Sequence, residues 1–181
     1  GGRAPVPTPR LGTTTSSCGV CGTESIDVLV ERLSPLPTER LVEISNELVL
    51  SIASLVRPGQ TLFDQTGSVH AAAAFDADGN VLVVREDVGR HNALDKLIGH
   101  LLRDNQSPAE GFILITSRAS FEMIEKAAIF GAGTIVAISA PTSLAVKRAR
   151  ELGVTLIAVA RRDAAIVFAG ALAPHQELAA S

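Results

Sequence analysis

The 181-residue chain has no tryptophan, no tyrosine, one methionine and only two cysteines. Six phenylalanines are its only aromatic side chains, so a core has to be assembled mainly from Val, Ile, Leu and Ala. Two cysteines are too few for the disulfide-dense scaffold of a small secreted domain, and a chain of this length can bury enough apolar surface to fold without staples. A basic excess is also missing. Sixteen Lys and Arg against nineteen Asp and Glu leave a net charge of −3 and a pI near 5.8. That balance argues against a nucleic-acid partner or a membrane-surface partner. No apolar signal segment opens the chain, and the expected compartment is the cytoplasm. The run 127–146, "AAIFGAGTIVAISAPTSLAV", is uncharged and long enough to span a bilayer, but Gly131, Gly133 and Pro141 divide it into a helix end, a buried strand and a loop.

Residues 1–17 are rich in Pro, Gly and Thr, carry no hydrophobic period, and read as a flexible lead-in to a single α/β domain over 18–181. Within that domain Thr38 follows Pro37 as a candidate N-cap, and Leu41, Ile44, Leu48, Ile52 and Leu55 recur at helical spacing until Pro58-Gly59. "VHAAAAF" and "NVLVVRE" flank "DADG", a hairpin signature that predicts two antiparallel strands. Asn92 and Asp95 resemble a capping pair opening a helix with Leu94, Leu97, Ile98, Leu101 and Leu102 on one face. Beyond it "FILIT", "TIVAIS" and "TLIAVA" read as buried strands, separated by helices over about 120–130 and 143–152 that Gly131 and Gly153 close. "AIVFA" reads as a last strand. Short unbroken apolar runs alternating with amphipathic helices predict a three-layer α/β/α sandwich around a mixed, mostly parallel sheet.

In open α/β sheets, ligands bind beyond the carboxyl ends of the strands. The loops there read "TSRAS" with Ser117 and Arg118, "SAPTS", and "ARRD" with Arg161 and Arg162. Guanidinium groups and helix N-termini gathered on one edge favour an anionic ligand, phosphates in particular. The densest polar cluster is "REDVGRHNALDK", residues 85–96. His91 lies there close in sequence to Glu86, Asp87 and Arg90, and acidic neighbours would hold it partly protonated near neutrality. The cluster serves either as an anion or proton site, or as a capping network that fixes the strand-to-helix turn. His70 reads as a structural residue, and His100 and His175 carry no signal.

Both cysteines lie in "TTSSCGVCGTES", spaced Cys-x-x-Cys as Cys18 and Cys21. A structural zinc site needs four ligands, and this loop supplies two. A thioredoxin-like redox pair sits at a strand end opening a helix, a setting this loop lacks. A thiolate in an exposed Gly/Ser loop is suited to accept sulfur as a persulfide, with Cys18 as nucleophile and Cys21 as helper or resolving thiol. The hairpin and the position of His91 also match the layout of the zinc nucleobase deaminases, which need His-x-Glu at this helix and Pro-Cys-x-x-Cys at the next. Here the first reads His91-Asn92-Ala93 and the second "TSRASFE", without cysteine. No metal ligand set is assigned.

Taken together, "SSCGVCGTESID", "HAAAAFDADGNVLVVREDVGRHNALDKLIG", "TSRASFEMIEKAA" and "TLIAVARRD" resemble the formate dehydrogenase accessory sulfurtransferases, the FdhD family, over about 16–170. The resemblance implies a cytidine-deaminase-like fold used for sulfur relay. A cysteine desulfurase would load a persulfide, and the protein would pass sulfur to the molybdenum cofactor, in its bis(molybdopterin guanine dinucleotide) form, for formate dehydrogenase. It further implies a homodimer, with Cys18 at the persulfide position and Cys21 as its partner. The cofactor-binding stretch becomes Val159, Ala160, Arg161, Arg162, Asp163 and Ala164, joined by Ser117, Arg118 and His91 from the strand-edge reading. Two departures stand out. Members of the family carry about a further hundred residues before the cysteine loop, a small domain's worth, which makes this chain a fragment or a shortened member. Val159 also stands where an aromatic residue is expected. The competing reading is a chaperone that binds and delivers the cofactor without transferring sulfur. A third is a redox-active dithiol protein.

Overall fold

A computed structural model describes residues 33–37, 42, 44–106, 111–160 and 163–171. Cys18, Cys21, Arg161, Arg162, Thr38, Leu41 and His175 lie outside the described residues, as does the lead-in 1–17. The chain divides into two compact units, Gly1–Ser34 and Pro35–Ser181. Every helix and strand of the described residues belongs to the second unit.

Its elements run α1 (Asn46–Val56), a 3-10 turn (Arg57–Gly59), α2 (Thr61–Thr66), β1 (His70–Asp76), β2 (Val81–Asp87), α3 (Arg90–Arg103), β3 (Gly111–Ile115), α4 (Phe121–Phe130), β4 (Thr134–Ala137), α5 (Ser143–Leu152), β5 (Thr155–Ala158) and β6 (Ile166–Ala169). Six strands form one sheet in the order β2-β1-β3-β4-β5-β6. The β3–β4 and β4–β5 pairs are parallel, and the β1–β2, β1–β3 and β5–β6 pairs are antiparallel. The sheet is therefore mixed, as the sequence predicts, with a parallel centre formed by the three unbroken apolar runs.

Strand alternation sends successive side chains to opposite faces. On one face Ala73, Phe75, Phe112, Leu114, Val136 and Ile157 join Val49, Ile52 and Val56 of α1 in a single core cluster. Phe75 and Phe112 stack there with ring centroids 4.7 Å apart. On the other face α3 packs on β1 and β2, and α4 packs against α5. Leu94, Leu97 and Leu101 of α3 are all buried, a stripe worth roughly 2 kcal/mol per side chain. Two glycines are required by geometry. Gly79 closes the β1–β2 hairpin at φ 86°, and a Cβ on Gly111 would lie 1.9 Å from the carbonyl oxygen of Phe75.

Three expectations need correction. Val42, Ile44 and Ser45 are not helical; α1 starts at Asn46 because the Ser45 hydroxyl accepts the Leu48 amide at 3.2 Å. Its buried stripe is accordingly Val49, Ile52 and Val56, while Leu55 is 41% exposed. The short helix α2 has no counterpart among the elements expected from sequence. It is held from outside by Glu86 of β2, whose carboxylate accepts the amides of Leu62 (2.7 Å) and Phe63 (2.9 Å), a tertiary contact with no local signature. Finally, Asn92 and Asp95 do not cap α3. Its N-cap is Gly89, Asn92 donates to Asp87, and Asp95 pairs with Lys126.

Candidate functional site at the carboxyl edge of the sheet

Parallel strands β3, β4 and β5 end on one edge, and their loops are tied together by backbone bonds. The Ile138 amide donates to Ile115 (3.0 Å), Thr142 to Ala119 (3.0 Å) and Ala160 to Ala137 (3.2 Å). Because β1 runs antiparallel to β3, its first residues reach the same edge, and the Thr116 hydroxyl accepts the Ala71 amide at 2.8 Å. The end of β2 and the start of α3 follow. The topology thus brings His91, Ser117, Arg118, Val159, Ala160, Asp163 and Ala164 to one side of the sheet.

Their individual roles differ. Arg118 is exposed and makes no ion pair or hydrogen bond through its guanidinium with another described residue, which leaves it available to an anion. Ser117 is 4% exposed and its hydroxyl donates to the Arg118 carbonyl at 3.2 Å. Ala160 is 1% exposed and belongs to the core cluster, so it presents no side chain to a ligand. Asp163 and Ala164 are exposed. Val159 adopts φ 55°, a left-handed backbone that costs a β-branched residue more than most. Val159 directly follows the last residue of β5, Ala158. Helices α4 and α5 also begin on this edge. The Thr142 hydroxyl caps α5 by accepting the Ala145 amide at 3.2 Å, whereas Ser120 makes no cap bond for α4.

The turn between β2 and α3 is built on Asp87. Its carboxylate accepts from the Gly89 amide (2.9 Å), the Asn92 side chain (3.2 Å) and Lys96 (2.5 Å). The Lys96 hydrogen bond and then the Gly89 amide hold its pKa down to about 2 against a small opposing effect of burial. Lys96 also donates to the Glu86 carbonyl at 3.1 Å. The Asp87 bonds form a network that fixes this strand-to-helix turn.

His91 sits in the first turn of α3. Its Nδ1 is buried and has no hydrogen bond among the described residues, and the same holds for the Nε of Arg90. The expected partial protonation is overturned. Burial first, and the Arg90 charge second, push the His91 pKa below its ordinary value, with Lys126 adding to them and Glu122 and Asp95 opposing. The carboxylates around the imidazole come from α4 and the next turn of α3, not from Glu86 and Asp87. Burial raises the Glu122 pKa, but Ser120, its own backbone amide, His91 and Arg90 together outweigh this and lower it. Buried guanidinium and imidazole nitrogens without acceptors are the groups an anion or a water would satisfy.

Among the described residues no three His, Cys, Asp or Glu side chains come together as a metal site, and no helix is long and apolar enough to cross a membrane.

The FdhD/NarQ family model matches residues 6–173. A sulfur carrier protein FdhD of Nocardia farcinica is 44% identical over 172 residues, covering 93% of this chain and 61% of that protein. One from Mycolicibacterium paratuberculosis is 45% identical over 170 residues, covering 92% and 62%. A crystal structure from Desulfotalea psychrophila, of a protein assigned as a formate dehydrogenase accessory protein, superposes with a TM-score of 0.70 at 29% identity, covering 79% of this chain and 60% of that one. The chain thus spans about three-fifths of the length of these relatives.

Proposed function

The chain belongs to the FdhD/NarQ family, and from that premise we propose that it is a sulfur carrier that accepts a persulfide from a cysteine desulfurase and transfers the sulfur to the molybdenum cofactor of formate dehydrogenase. The observation that carries this reading is the extent of the family match. Residues 6–173 take in the Cys18 and Cys21 pair together with every strand-edge loop. Relatives of 44 to 45% identity carry the name sulfur carrier protein.

In the proposed cycle the Cys18 thiolate attacks the outer sulfur of the donor persulfide. The donor's sulfur–sulfur bond breaks, its cysteine leaves as thiolate, and Cys18 holds the transferred sulfur with no net oxidation. Cys21 then attacks the inner sulfur of Cys18. A Cys18–Cys21 disulfide forms and the outer sulfur leaves as hydrosulfide, reduced by the two electrons the thiols give up. Hydrosulfide replaces an oxo ligand on the molybdenum of the bound substrate, the oxygen leaves as hydroxide, and an external thiol reductant restores the dithiol. The chain's part at the strand edge is to hold the dianionic pyrophosphates of the bis(molybdopterin guanine dinucleotide). Arg118, His91 and the turn from Val159 to Ala164, which includes Arg161 and Arg162, supply the donors for this. In this reading the protein works in the cytoplasm as a homodimer.

The test is intact-protein mass spectrometry after incubation with a cysteine desulfurase and cysteine, comparing the parent with Cys18→Ala. A reductant-labile gain of one sulfur atom, lost in Cys18→Ala, is expected. No gain from a folded protein and an active desulfurase would refute sulfur transfer by this 181-residue chain alone.

A further inference from the structure

Little holds segment 61–68 in place. Gln60 before it and Val69 after it are buried, at 8% and 6% exposed, but between them every residue is exposed except the half-buried Phe63. Helix α2, which fills most of the segment, has no buried residue. Six residues are too few for a helix to persist on its own backbone bonds, so α2 depends on what it touches. Its tie to the sheet is the Glu86 carboxylate, which accepts the amides of Leu62 at 2.7 Å and Phe63 at 2.9 Å. Arg57 pairs with Asp64 and lies 5.0 Å from the centre of the Phe63 ring, but it belongs to the adjoining 3-10 turn and would move with α2 only in part.

The two ends of the segment differ. The turn Arg57–Gly59 is pressed against β2, where a Cβ on Gly59 would lie 2.6 Å from a Val84 methyl group. Gly67 is left-handed at φ 66°, and a Cβ built on it would meet nothing within 4 Å. The entry is therefore fixed, and the exit is a glycine in open space that can change its backbone angles without a clash. Phe63, Gly67 and Ser68 wall a cavity of about 500 Å³. Its inner surface includes Val56 and Leu114, 1% and 0% exposed, from the core cluster beneath α1.

We propose that segment 61–68 is a hinged lid over this cavity, latched shut by the Glu86 carboxylate and swinging on Gly67. Releasing the two amides from Glu86 leaves the first turn of α2 without acceptors, and the outward swing takes Phe63 off the cavity wall. The lid uses neither cysteine and stands apart from the sulfur-carrier reading.

The experiment is hydrogen–deuterium exchange of the 181-residue chain, read by mass spectrometry, for the parent, Glu86→Gln and Glu86→Ala. In the parent, amides of 62–67 should exchange at least about tenfold faster than those of β1 and β3, as a locally opening unit does. Glu86→Ala should speed them about a further tenfold, and Glu86→Gln, which keeps one acceptor oxygen, by less, with β1 and β3 unchanged. Access to the cavity is read from Val56→Cys in a Cys18→Ser, Cys21→Ser background, by timing its reaction with a thiol reagent. Adding Glu86→Ala, or Glu86→Gln if the alanine variant does not fold, should quicken that labelling, by about tenfold for alanine. Exchange of 62–67 in step with β3, or unaltered by the Glu86 variants, overturns the proposal. Faster exchange at 62–67 with unchanged labelling also overturns it, since α2 would then move without opening the cavity.

Discussion

Replacing Asp87 tests whether the β2–α3 turn is held by hydrogen bonds or by charge. The Asp87 carboxylate accepts from the Gly89 amide at 2.9 Å and from Asn92 at 3.2 Å, and pairs with Lys96 at 2.5 Å. A backbone amide bonded to a carboxylate at this partly buried position contributes about 1 kcal/mol. The Lys96 pair has its lysine half exposed and adds only about 0.5 kcal/mol after screening. Asp87→Ala should therefore cost about 1.5 kcal/mol, a fall of roughly 3 to 6 °C in Tm for a domain of this size. Asp87→Asn keeps an acceptor for Gly89 and should cost about 0.5 kcal/mol, matching Lys96→Met.

The pH dependence has a definite sign. The folded pKa of Asp87 is depressed from 3.8 to about 2. Its contribution is therefore complete above pH 3.8 and is lost as the pH falls towards 2. Urea titrations of the parent, both Asp87 variants and Lys96→Met at pH 7 and at acid pH decide the matter. If Asp87→Asn proves as unstable as Asp87→Ala, the charge and not the amide bond holds the turn, and the larger share of the energy belongs to Lys96.

Two further outcomes follow from buried charge. His91 has a folded pKa below the ordinary 6.5, so the unfolded chain binds the extra proton first and stability should decline as pH falls below about 6.5; His91→Gln should flatten that slope in melting curves recorded from pH 8 to 5, and an unchanged slope would place the titrating group elsewhere. Arg148 is 2% exposed and bonds Glu125 at 2.7 and 2.9 Å and Glu151 at 3.1 Å. Arg148→Met strands the buried Glu125 and should cost about 3 kcal/mol or more, while Arg148→Met with Glu125→Leu should recover most of it; a double variant as unstable as the single would mean that the guanidinium acts through packing.

Features that depend on neighbours in sequence are legible without a structure. Gly131 and Gly153 close α4 and α5 at left-handed angles of 91° and 68°, and a glycine after an amphipathic stretch signals that end locally. The hairpin turn and the short apolar strands are legible for the same reason. Helix α2 is not, because its N-terminus is held by Glu86, 23 and 24 residues away in sequence. The protonation of His91 is hidden in a similar way. Sequence puts Glu86 and Asp87 nearest, but both turn to other partners, and the influences on the imidazole are burial, Arg90, Lys126 and Glu122. Gln60 carries no signal, since nothing in "RPGQTLF" says that its side chain will be enclosed beneath α1 and the sheet.

The residues at the strand edge do not carry the chemistry of a zinc deaminase. A zinc deaminase needs His-x-Glu where α3 begins and cysteines where α4 begins. Here His91 remains, but Ala93 fills the Glu position and is 1% exposed, packed into the core. The start of α4 reads Ser120-Phe121-Glu122. A glutamate at position 93 would be a buried charge with no metal-bound water to serve, and alanine removes that cost. Positive potential at the edge then comes from Arg90, Arg118 and the uncapped N-terminus of α4, which can hold an anion without activating a water molecule. In the proposed function this edge holds the cofactor, and the bond-making group comes from elsewhere in the chain. In the proposed function that group is the thiol pair of Cys18 and Cys21, so variants at Arg118 should weaken cofactor binding while leaving persulfide loading on Cys18 intact.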